Sequence, residues 1–196
     1  ERSESPSFDQ ERIPDAQILR GNVVFRHDNA LMYCDSAYFY EYTNSLDAFG
    51  HVRFVQGDTL RGYGDKLFYD GNTKLARMRR NVRLVHGREN ENPTILTTDS
   101  LNYNRQSNIA YYYTGGTIQD TLNTLTSIRG TYSANTKQAV FSKQVVLVNK
   151  KFTLRSDTLL YNTQNKITDI VSPTEIVYEK ETNIHTSRGW YNTHNE

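Results

Sequence analysis

The chain has 196 residues, with 23 basic and 22 acidic side chains, and 36% of its residues are hydrophobic. A formal net charge of +1 creates no global field of the kind that attracts nucleic acid, so we predict no nucleic-acid partner. No apolar stretch approaches the ~20 residues that span a bilayer as a helix. The 14 tyrosines and the many β-branched residues favour half-buried sheet surfaces. Because the sequence begins at Glu1 and shows no signal peptide, we expect a processed or trimmed chain, whose N-terminus predicts no compartment.

An aromatic residue followed by a polar one recurs along the chain at steps of 29 to 34 residues. The aromatic positions are Phe39, Tyr69, Tyr103, Tyr132, Tyr161 and Tyr191. A constant period of this size indicates one supersecondary unit copied along a stack. We therefore predict one repeat domain over 18–196. Residues 1–17 are polar, contain two prolines and show no alternation, which predicts a flexible lead-in.

From Ile18 onward the sequence predicts pairs of strands separated by turns that contain Asn, Gly, Ser or Thr. In chain order the predicted strands are 21–25, 30–40, 45–54, 59–70, 74–85, 94–104, 109–118, 125–133, 138–148, 152–162, 166–178 and 183–192. The reversals fall near 43–44, 71–72, 106–108, 135–136 and 164–165. About six two-strand repeats of ~30 residues then build an all-β fold.

The alternation of apolar side chains shifts by one residue at four aspartates. Around Asp35 the apolar or small residues are Met32, Cys34, Ala37 and Phe39, at an odd offset before the aspartate and an even offset after it. Similar shifts fall at Asp65, Asp99 and Asp157. Such a shift turns side chains to the other face unless the backbone bulges or bends. We therefore predict a corner at each aspartate, where the strand passes between two facing sheets.

The inward phase of the strands predicts an apolar slot between the two sheets. Its predicted lining is Val23, Phe25, Met32, Phe39, Leu46, Ala48, Val52, Phe54, Leu67, Tyr69, Met78, Val82, Leu84, Leu101 and Tyr103. Burial of hydrocarbon is worth about 0.8 kcal/mol per CH₂, so such a slot could hold several acyl chains. Aromatic ladders also bind glycans in some repeat proteins, but we favour a core or rim role for the tyrosines.

The sequence offers little for catalysis or for a cofactor. The repeated aspartates could pair for acid–base work, but Asp also bonds exposed backbone N–H groups at bends, which is the interpretation we favour. The five histidines show no ligand spacing and Cys34 is the single cysteine, so we predict neither a metal nor a cofactor. We interpret Cys34 as a small buried hydrophobe. No nucleotide or hydrolase motif occurs, and we expect no enzymatic activity.

One local excess of positive charge lies at Arg77, Arg79, Arg80, Arg83 and Arg88. Two interpretations stay open, and the first is a solvated strand face. The second is contact with the phosphates or acidic sugars of a glycolipid headgroup, because arginine pairs bidentately with both. The candidate headgroup contacts are Arg77, Arg79, Arg80 and Arg83.

Recurring strings carry a resemblance to a known family. They are Gly21-Asn22-Val23-Val24-Phe25, Cys34-Asp35-Ser36-Ala37-Tyr38-Phe39 and Leu46-Asp47-Ala48-Phe49-Gly50-His51-Val52, and the middle one is repeated at 98–103 and 156–161. Their recurrence over 18–192 resembles the OstA-like, LptA-type lipopolysaccharide-transport family. The chain departs from the pattern at 128–130 and 187–189, where the aspartate and its neighbours are replaced.

The resemblance implies an open twisted β-jellyroll in the periplasm that shields the acyl chains of lipid A and transforms nothing. It also implies end-to-end strand addition to other OstA-like domains of a bridge between the inner and outer membranes. Association with either membrane would then come through these partners, and the same contact would allow homo-oligomers. Two alternatives stay open: a structural β module that stacks without lipid cargo, and a parallel β-helix that binds glycan.

Overall fold

The computed structural model describes residues 15–27, 29–88, 91–179 and 181–192. Within these ranges every regular element is a β-strand, and no helix is present that could cross a membrane. The lead-in predicted over 1–17 lies outside the described residues except for its last three, of which Gln17 begins the first strand. The contacts divide the chain into two compact units, residues 1–106 and 107–196. The single domain predicted over 18–196 remains a prediction.

Unit 1 contains six long strands, each paired with the next in chain order. They are β1 Gln17–His27, β2 Ala30–Tyr40, β3 Ser45–Gln56, β4 Leu60–Asp70, β5 Leu75–His86 and β6 Thr94–Asn104. All five pairings are antiparallel. The predicted hairpins are therefore confirmed here, and the parallel β-helix is wrong.

Unit 2 contains ten shorter or interrupted strands. They are β7 Ile109–Tyr112, β8 Gly116–Gln119, β9 Asn123–Ser127, β10 Arg129–Ser133, β11 Gln138–Asn149, β12 Phe152–Asn162, β13 Ile167–Ile170, β14 Thr174–Tyr178, β15 Thr182–Thr186 and β16 Gly189–Asn192. One antiparallel run has the order β7-β10-β11-β12-β13-β16. On the other side of the bends, β8 and β9 pair with each other and β9 with β11, while β14 pairs with β12 and β15.

Four strands predicted as continuous in unit 2, over 109–118, 125–133, 166–178 and 183–192, are each broken at the corner. The prediction of continuous strands was wrong because the alternation pattern shows which sheet face each side chain occupies. It does not show where the backbone stops pairing with the neighbouring strand. At the break after Ile170, Pro173 lacks the N–H that a ladder bond needs. Each half-strand still pairs, so the two-strand repeat itself is retained.

The register between the long strands shifts at the predicted corners. Between β1 and β2 the shift falls between Arg20 and Val23, opposite Asp35. Equivalent shifts lie at Asp65, Asp99 and Asp157. In each pair the odd-numbered strand carries one more residue than its even-numbered partner, which is the definition of a β-bulge. The phase shift in the sequence therefore located the corners correctly.

The extra residue belongs to a pair of consecutive left-handed residues, which the alternation did not predict. The pairs are Gly21-Asn22, Gly50-His51, Arg80-Asn81 and Lys143-Gln144, with φ between 44° and 73°. For a non-glycine residue this conformation costs roughly 1–2 kcal/mol. Only the first two pairs contain a glycine that could have signalled it.

The bulges divide the unit 1 sheet into two arms. Arm A comprises 23–27, 30–34, 52–56, 60–64, 82–86 and 94–98, and arm B comprises 17–20, 36–40, 45–49, 66–70, 75–79 and 100–104. Buried side chains of both arms, such as Met32 of arm A and Leu67 of arm B, pack in one cluster. The facing sheets predicted from the sequence are therefore two arms of one bent sheet. This is the predicted β-jellyroll class.

The polar residue after four of the repeated aromatic residues caps the following turn, at Asp70, Asn104, Ser133 and Asn162. Asp70 Oδ1 accepts hydrogen bonds from the backbone N–H groups of Asn72 and Thr73, at 2.9 and 3.1 Å. Asn162 Oδ1 accepts the equivalent bonds from Gln164 and Asn165. These backbone bonds hold the pKa of Asp70 below its ordinary value. At these four positions the aromatic–polar dipeptide therefore marks the start of a turn.

Candidate functional site

The structure brings most of the predicted slot lining together in one cluster of unit 1. Nine of the predicted residues are buried in it: Val23, Met32, Leu46, Ala48, Val52, Leu67, Met78, Val82 and Leu101. Four more pack against it half-buried: Phe25, Phe39, Tyr69 and Leu84. Phe54 is half-buried and Tyr103 is 36% exposed, and neither belongs to the cluster. The cluster also contains Cys34 and Ala37, with Leu19 and Leu96 packed against it.

Burial within the slot decreases from the bend to the strand ends. Ala37 and Ala48, which are register partners beside the bend, are both 0% exposed, and Val52 is 1% exposed. Small side chains allow the two arms to approach closely there. The half-buried residues form what we call the rim: Phe25, Phe54, Leu84 and Leu96 on arm A, with Phe39, Tyr69 and the more exposed Tyr103 on arm B. The rim is where a guest chain could meet apolar surface without displacing the packed core.

Aromatic pairs join the two arms. In unit 1 the ring centroids of Phe25 and Phe39 are 6.2 Å apart, with 42° between the ring planes. In unit 2 the rings of Phe152 and Tyr191 are 5.1 Å apart at 75°. Such pairs are worth about 0.5–1.5 kcal/mol beyond their burial. The first pair joins arm A to arm B at the β1–β2 end of unit 1, and the second joins β12 to β16 within unit 2.

The departure from the repeat at 128–130 has a packing reason. A methyl group on Gly130 would overlap the ring of Tyr112, and so would one on Gly116. The Tyr112 hydroxyl bonds Ser127 Oγ at 2.7 Å, and burial raises the pKa of Tyr112. Tyr112 is the middle residue of the run Tyr111-Tyr112-Tyr113. Its ring needs the space that the two glycines leave.

A hydroxyl residue recurs before four of the corners, buried at Ser127 and Ser156 and half-buried at Thr98 and Thr186, and sequence analysis missed it. Four hydroxyls donate to the carbonyl two residues on: Thr98 to Ser100, Ser127 to Arg129, Ser156 to Thr158 and Thr186 to Arg188, at 2.7 to 3.4 Å. Cys34 occupies the same position, and its thiol contacts the backbone of Ser36 and Phe49. The sequence does contain a signal for this position, a hydroxyl or thiol residue five residues before each repeated aromatic residue. Tyr69 is the exception, because Gly64 occupies that position.

Cys34 is 5% exposed, and burial raises its pKa to about 11. At neutral pH the side chain is therefore a thiol and not a thiolate, and it is a poor nucleophile. This agrees with the interpretation of Cys34 as a small buried residue.

Two corner aspartates bond the left-handed residue of the neighbouring bulge. Asp35 Oδ2 lies 2.7 Å from His51 Nδ1, and Asp65 Oδ2 accepts a bond from Asn81 Nδ2 at 3.0 Å. The hydrogen bond to Asp35 and its charge raise the pKa of His51. These contacts fit the structural interpretation of the aspartates. Within the described ranges, no group of three or more His, Cys, Asp or Glu side chains could hold a metal ion.

The four candidate headgroup arginines do not form one patch. Arg77 and Arg79 lie on arm B, Arg80 lies in the bulge, and Arg83 lies on arm A. Arg79 donates to the carbonyls of Met78 and Leu101 and, at 2.8 Å, to Asn102 Oδ1. Sequence proximity placed these residues together, but the bend separates them. Their contact with a headgroup remains a prediction.

A profile of the OstA-like protein family matches residues 1–157, which is most of the chain. The chain therefore belongs to the OstA-like family, as the recurring strings predicted. Among solved structures it is similar to LptH, the LptA-homologous periplasmic component of the lipopolysaccharide transport device of Pseudomonas aeruginosa. That alignment has 15% identity and a TM-score of 0.48, and covers 56% of this chain and 79% of LptH. No curated protein matches the chain.

Proposed function

We propose that this chain binds lipopolysaccharide in the periplasm and forms part of a bridge that passes it between the inner and outer membranes. The acyl chains of lipid A would lie along the rim of the slot. The observation that carries the proposal is the gradient of burial, from fully packed alanines at the bend to half-buried Phe25, Phe39 and Phe54. Membership of the OstA-like family supports it.

The energetics favour binding without chemical transformation. Each methylene that leaves water for the rim contributes about 0.8 kcal/mol, so a few partly buried chains give useful affinity. The contact is non-directional, so a chain can shift along the slot without breaking specific bonds. The rim residues are carbon-rich and offer no acid–base pair. Transport of an unaltered lipid therefore fits this surface better than catalysis.

The proposed partners are other OstA-like domains, or further copies of this chain, added at strand edges. On β16, Trp190 is 70% exposed. Among the described residues β15 pairs only with β14 and is exposed along nearly its whole length, with Ile184 45% exposed. Unpaired backbone groups at such an edge accept a further strand. The same observation supports the second candidate function, an assembly module that stacks end to end without lipid. Particles that become longer in X-ray scattering as the protein concentration rises would support stacking under both candidate functions. Binding of lipopolysaccharide distinguishes the transport function from the assembly module.

A matched pair of substitutions on β3 tests the lipid proposal. Phe54 lies on the slot side of arm A, opposite Met32, whereas Phe49 lies on the outer face of arm B against Tyr38 and Phe68. We expect Phe54→Glu to weaken lipopolysaccharide binding by about tenfold or more, since a buried carboxylate opposes an acyl chain. Phe49→Glu should leave it within about twofold. Equal binding by two folded variants would contradict the proposal.

A further inference from the structure

On the outer face of arm A, tyrosine and arginine alternate across four adjacent strands. Tyr33, Arg53, Tyr63 and Arg83 are direct register partners on β2, β3, β4 and β5. We call these four residues the Tyr–Arg strip. Adjacent strands lie about 4.8 Å apart, so the two arginines are separated by about 10 Å along the sheet. Tyrosine and arginine alternate here because of how the four strands are paired, so the alternation is not visible along the linear sequence.

Each arginine of the strip stacks on the tyrosine before it. The Arg53 guanidinium carbon lies 5.5 Å from the centroid of the Tyr33 ring, and that of Arg83 lies 5.8 Å from the Tyr63 ring. This contact holds a planar guanidinium in a preferred orientation. Both arginines are exposed, and neither takes part in an ion pair among the residues that the structure describes. The strip thus presents two oriented donor groups to solvent.

Basic residues predominate in the two rows of side chains on the outer face of arm A. The row next to the strip contains Arg26, Leu31, Val55, Arg61, Val85 and Ile95. Within this row Val85 is buried, and Arg61 donates a hydrogen bond to the carbonyl of Gly87 at 3.0 Å. With Val24 and Thr97 at the ends of the strip, the two rows hold four arginines and no acidic residue. Three corner carboxylates border the two rows: Asp35 and Asp65 bond His51 and Asn81, and Asp99 lies on β6 two residues after Thr97. The positive charge of this face is local, since the whole chain has a net charge of +1.

The outer face of arm B shows what an ordinary solvated face of this sheet contains. It carries both signs of charge, with Asp47 and Asp70 among Lys66 and Arg77. Tyr40 donates a hydrogen bond to Asp47 at 3.2 Å, and Arg79 is bound to main-chain carbonyls and to Asn102. Carboxylates therefore lie among the basic side chains of this face. The charges on the outer face of arm A have the same sign.

We propose that the Tyr–Arg strip binds an anionic saccharide, one that carries phosphate or carboxylate groups along its length. Guanidinium pairs with both groups through two parallel hydrogen bonds. The hydroxyls of Tyr33, Tyr63 and Thr97 can bond sugar hydroxyls. Nucleic acid fits less well, because an arginine already covers one face of each tyrosine ring and leaves less aromatic surface on which a base could stack. The site does not depend on lipid transport, because it lies on the face opposite the slot.

Titration calorimetry on the whole chain at low ionic strength tests the site with defined probes. Hexagalacturonate carries one carboxylate per sugar, and maltohexaose has similar length without charge. We expect the chain to bind hexagalacturonate and not maltohexaose, with affinity that falls as salt is added. Inorganic phosphate should bind much more weakly, because a single anion engages one arginine. An oligothymidylate that binds more tightly than hexagalacturonate would overturn the assignment in favour of nucleic acid.

Variants that remove two charges provide the matched comparison. Arg53→Gln with Arg83→Gln should weaken hexagalacturonate binding by about tenfold or more. Lys143→Gln with Arg155→Gln removes the same charge from exposed positions of unit 2 and should leave binding unchanged. The double variant Arg53→Lys, Arg83→Lys keeps both charges but lacks the planar guanidinium that donates two parallel hydrogen bonds. We therefore expect its affinity for hexagalacturonate to lie between those of the unmodified chain and the double glutamine variant. Phe54→Glu should bind hexagalacturonate normally, so failure of this site and failure of the lipid proposal are distinguishable.

A measurement on the unmodified chain protects the test against misfolded variants. The Nε–H resonances of Arg53 and Arg83 should shift in NMR spectra as hexagalacturonate is added, while that of Arg155 stays in place. Absence of binding by the unmodified chain, or shifts that spread equally over all three arginines, would overturn the proposal. Unchanged affinity in the Arg53→Gln, Arg83→Gln variant would do the same.

Discussion

The rings of Phe25 and Phe39 touch across the bend of the unit 1 sheet, with centroids 6.2 Å apart. Phe25 is the register partner of Met32, and Phe39 lies seven residues further along the same strand. In a straight strand those seven residues would separate Met32 from Phe39 by about 23 Å. The contact therefore exists only because the strand folds back at the bulge opposite Asp35. It connects the phase shift in the sequence to the shape of the slot.

A double-mutant cycle measures this contact. Phe25→Ala and Phe39→Ala should show a coupling energy of about 0.5–1.5 kcal/mol in urea unfolding. Either single substitution already removes the contact between the rings, so the double variant loses less stability than the sum of the two single variants. The pair Phe25→Ala and Phe68→Ala is the control, since Phe68 packs against Phe49 on the outer face and should show no coupling with Phe25. Zero coupling between Phe25 and Phe39 would contradict the bend.

The core of unit 2 depends on Leu159, which is 0% exposed and packs in a second apolar cluster. Leu159→Ala should reduce the free energy of unfolding by about 2–5 kcal/mol, because it leaves a cavity that the surrounding strands cannot fill. Leu122→Ala removes the same atoms from a side chain that is 41% exposed, and should cost no more than about 0.5 kcal/mol. Similar losses for both variants would show that Leu159 is not a core residue.

The fit of Tyr112 against Gly130 predicts a steric conflict that can be relieved. Gly130→Ala should destabilise the protein by about 1–3 kcal/mol, because the new methyl group overlaps the ring. Gly189→Ala changes the equivalent corner of the last repeat, where the nearest atom is Ile170 Cδ1 at 3.8 Å, and should cost much less. Tyr112→Leu should recover part of the loss in the Gly130→Ala background. Purely additive losses in thermal unfolding would argue against the contact.

The bond between His51 and Asp35 predicts a pH dependence with a definite sign. The pKa of the His51 ring in the folded protein is raised above the ordinary 6.5, so folding favours the protonated ring. The contribution to stability is complete below pH 6.5 and is lost as the pH rises through the raised pKa. NMR titration of the ring should give a pKa above 6.5, and Asp35→Asn should lower it. An unchanged pKa in that variant would refute the pairing.

Sequence alone located the features that depend on spacing along one strand. The hairpin turns follow from Asn, Gly, Ser and Thr at the reversals, and the corners follow from the odd and even offsets around Asp35 and its equivalents. Most members of the unit 1 apolar cluster also followed from phase, because period-2 alternation assigns faces directly. These inferences need no knowledge of which strands are neighbours.

Features that depend on pairing across strands could not be read in this way. The left-handed pair Arg80-Asn81 is stabilised by Asp65 on the adjacent strand, a contact that no local propensity reports. Arg79 was grouped with its sequence neighbours, whereas its hydrogen bonds reach Leu101 and Asn102 of the next strand. The Tyr–Arg strip likewise requires the register of four strands. The alternation over 109–118 concealed a strand break after Tyr112 for the same reason.

Site-specific photo-crosslinking to lipopolysaccharide tests the central claim, that the inner face of the bent sheet carries the lipid. A photoreactive phenylalanine analogue would replace Phe54 on the slot side or Phe49 on the outer face of the same strand. Both positions are half-buried, so the probes differ in the face they occupy rather than in exposure. The account predicts lipopolysaccharide adducts at position 54 and none at position 49. A folded protein that forms no adduct at position 54, or equal adducts at both positions, would contradict it.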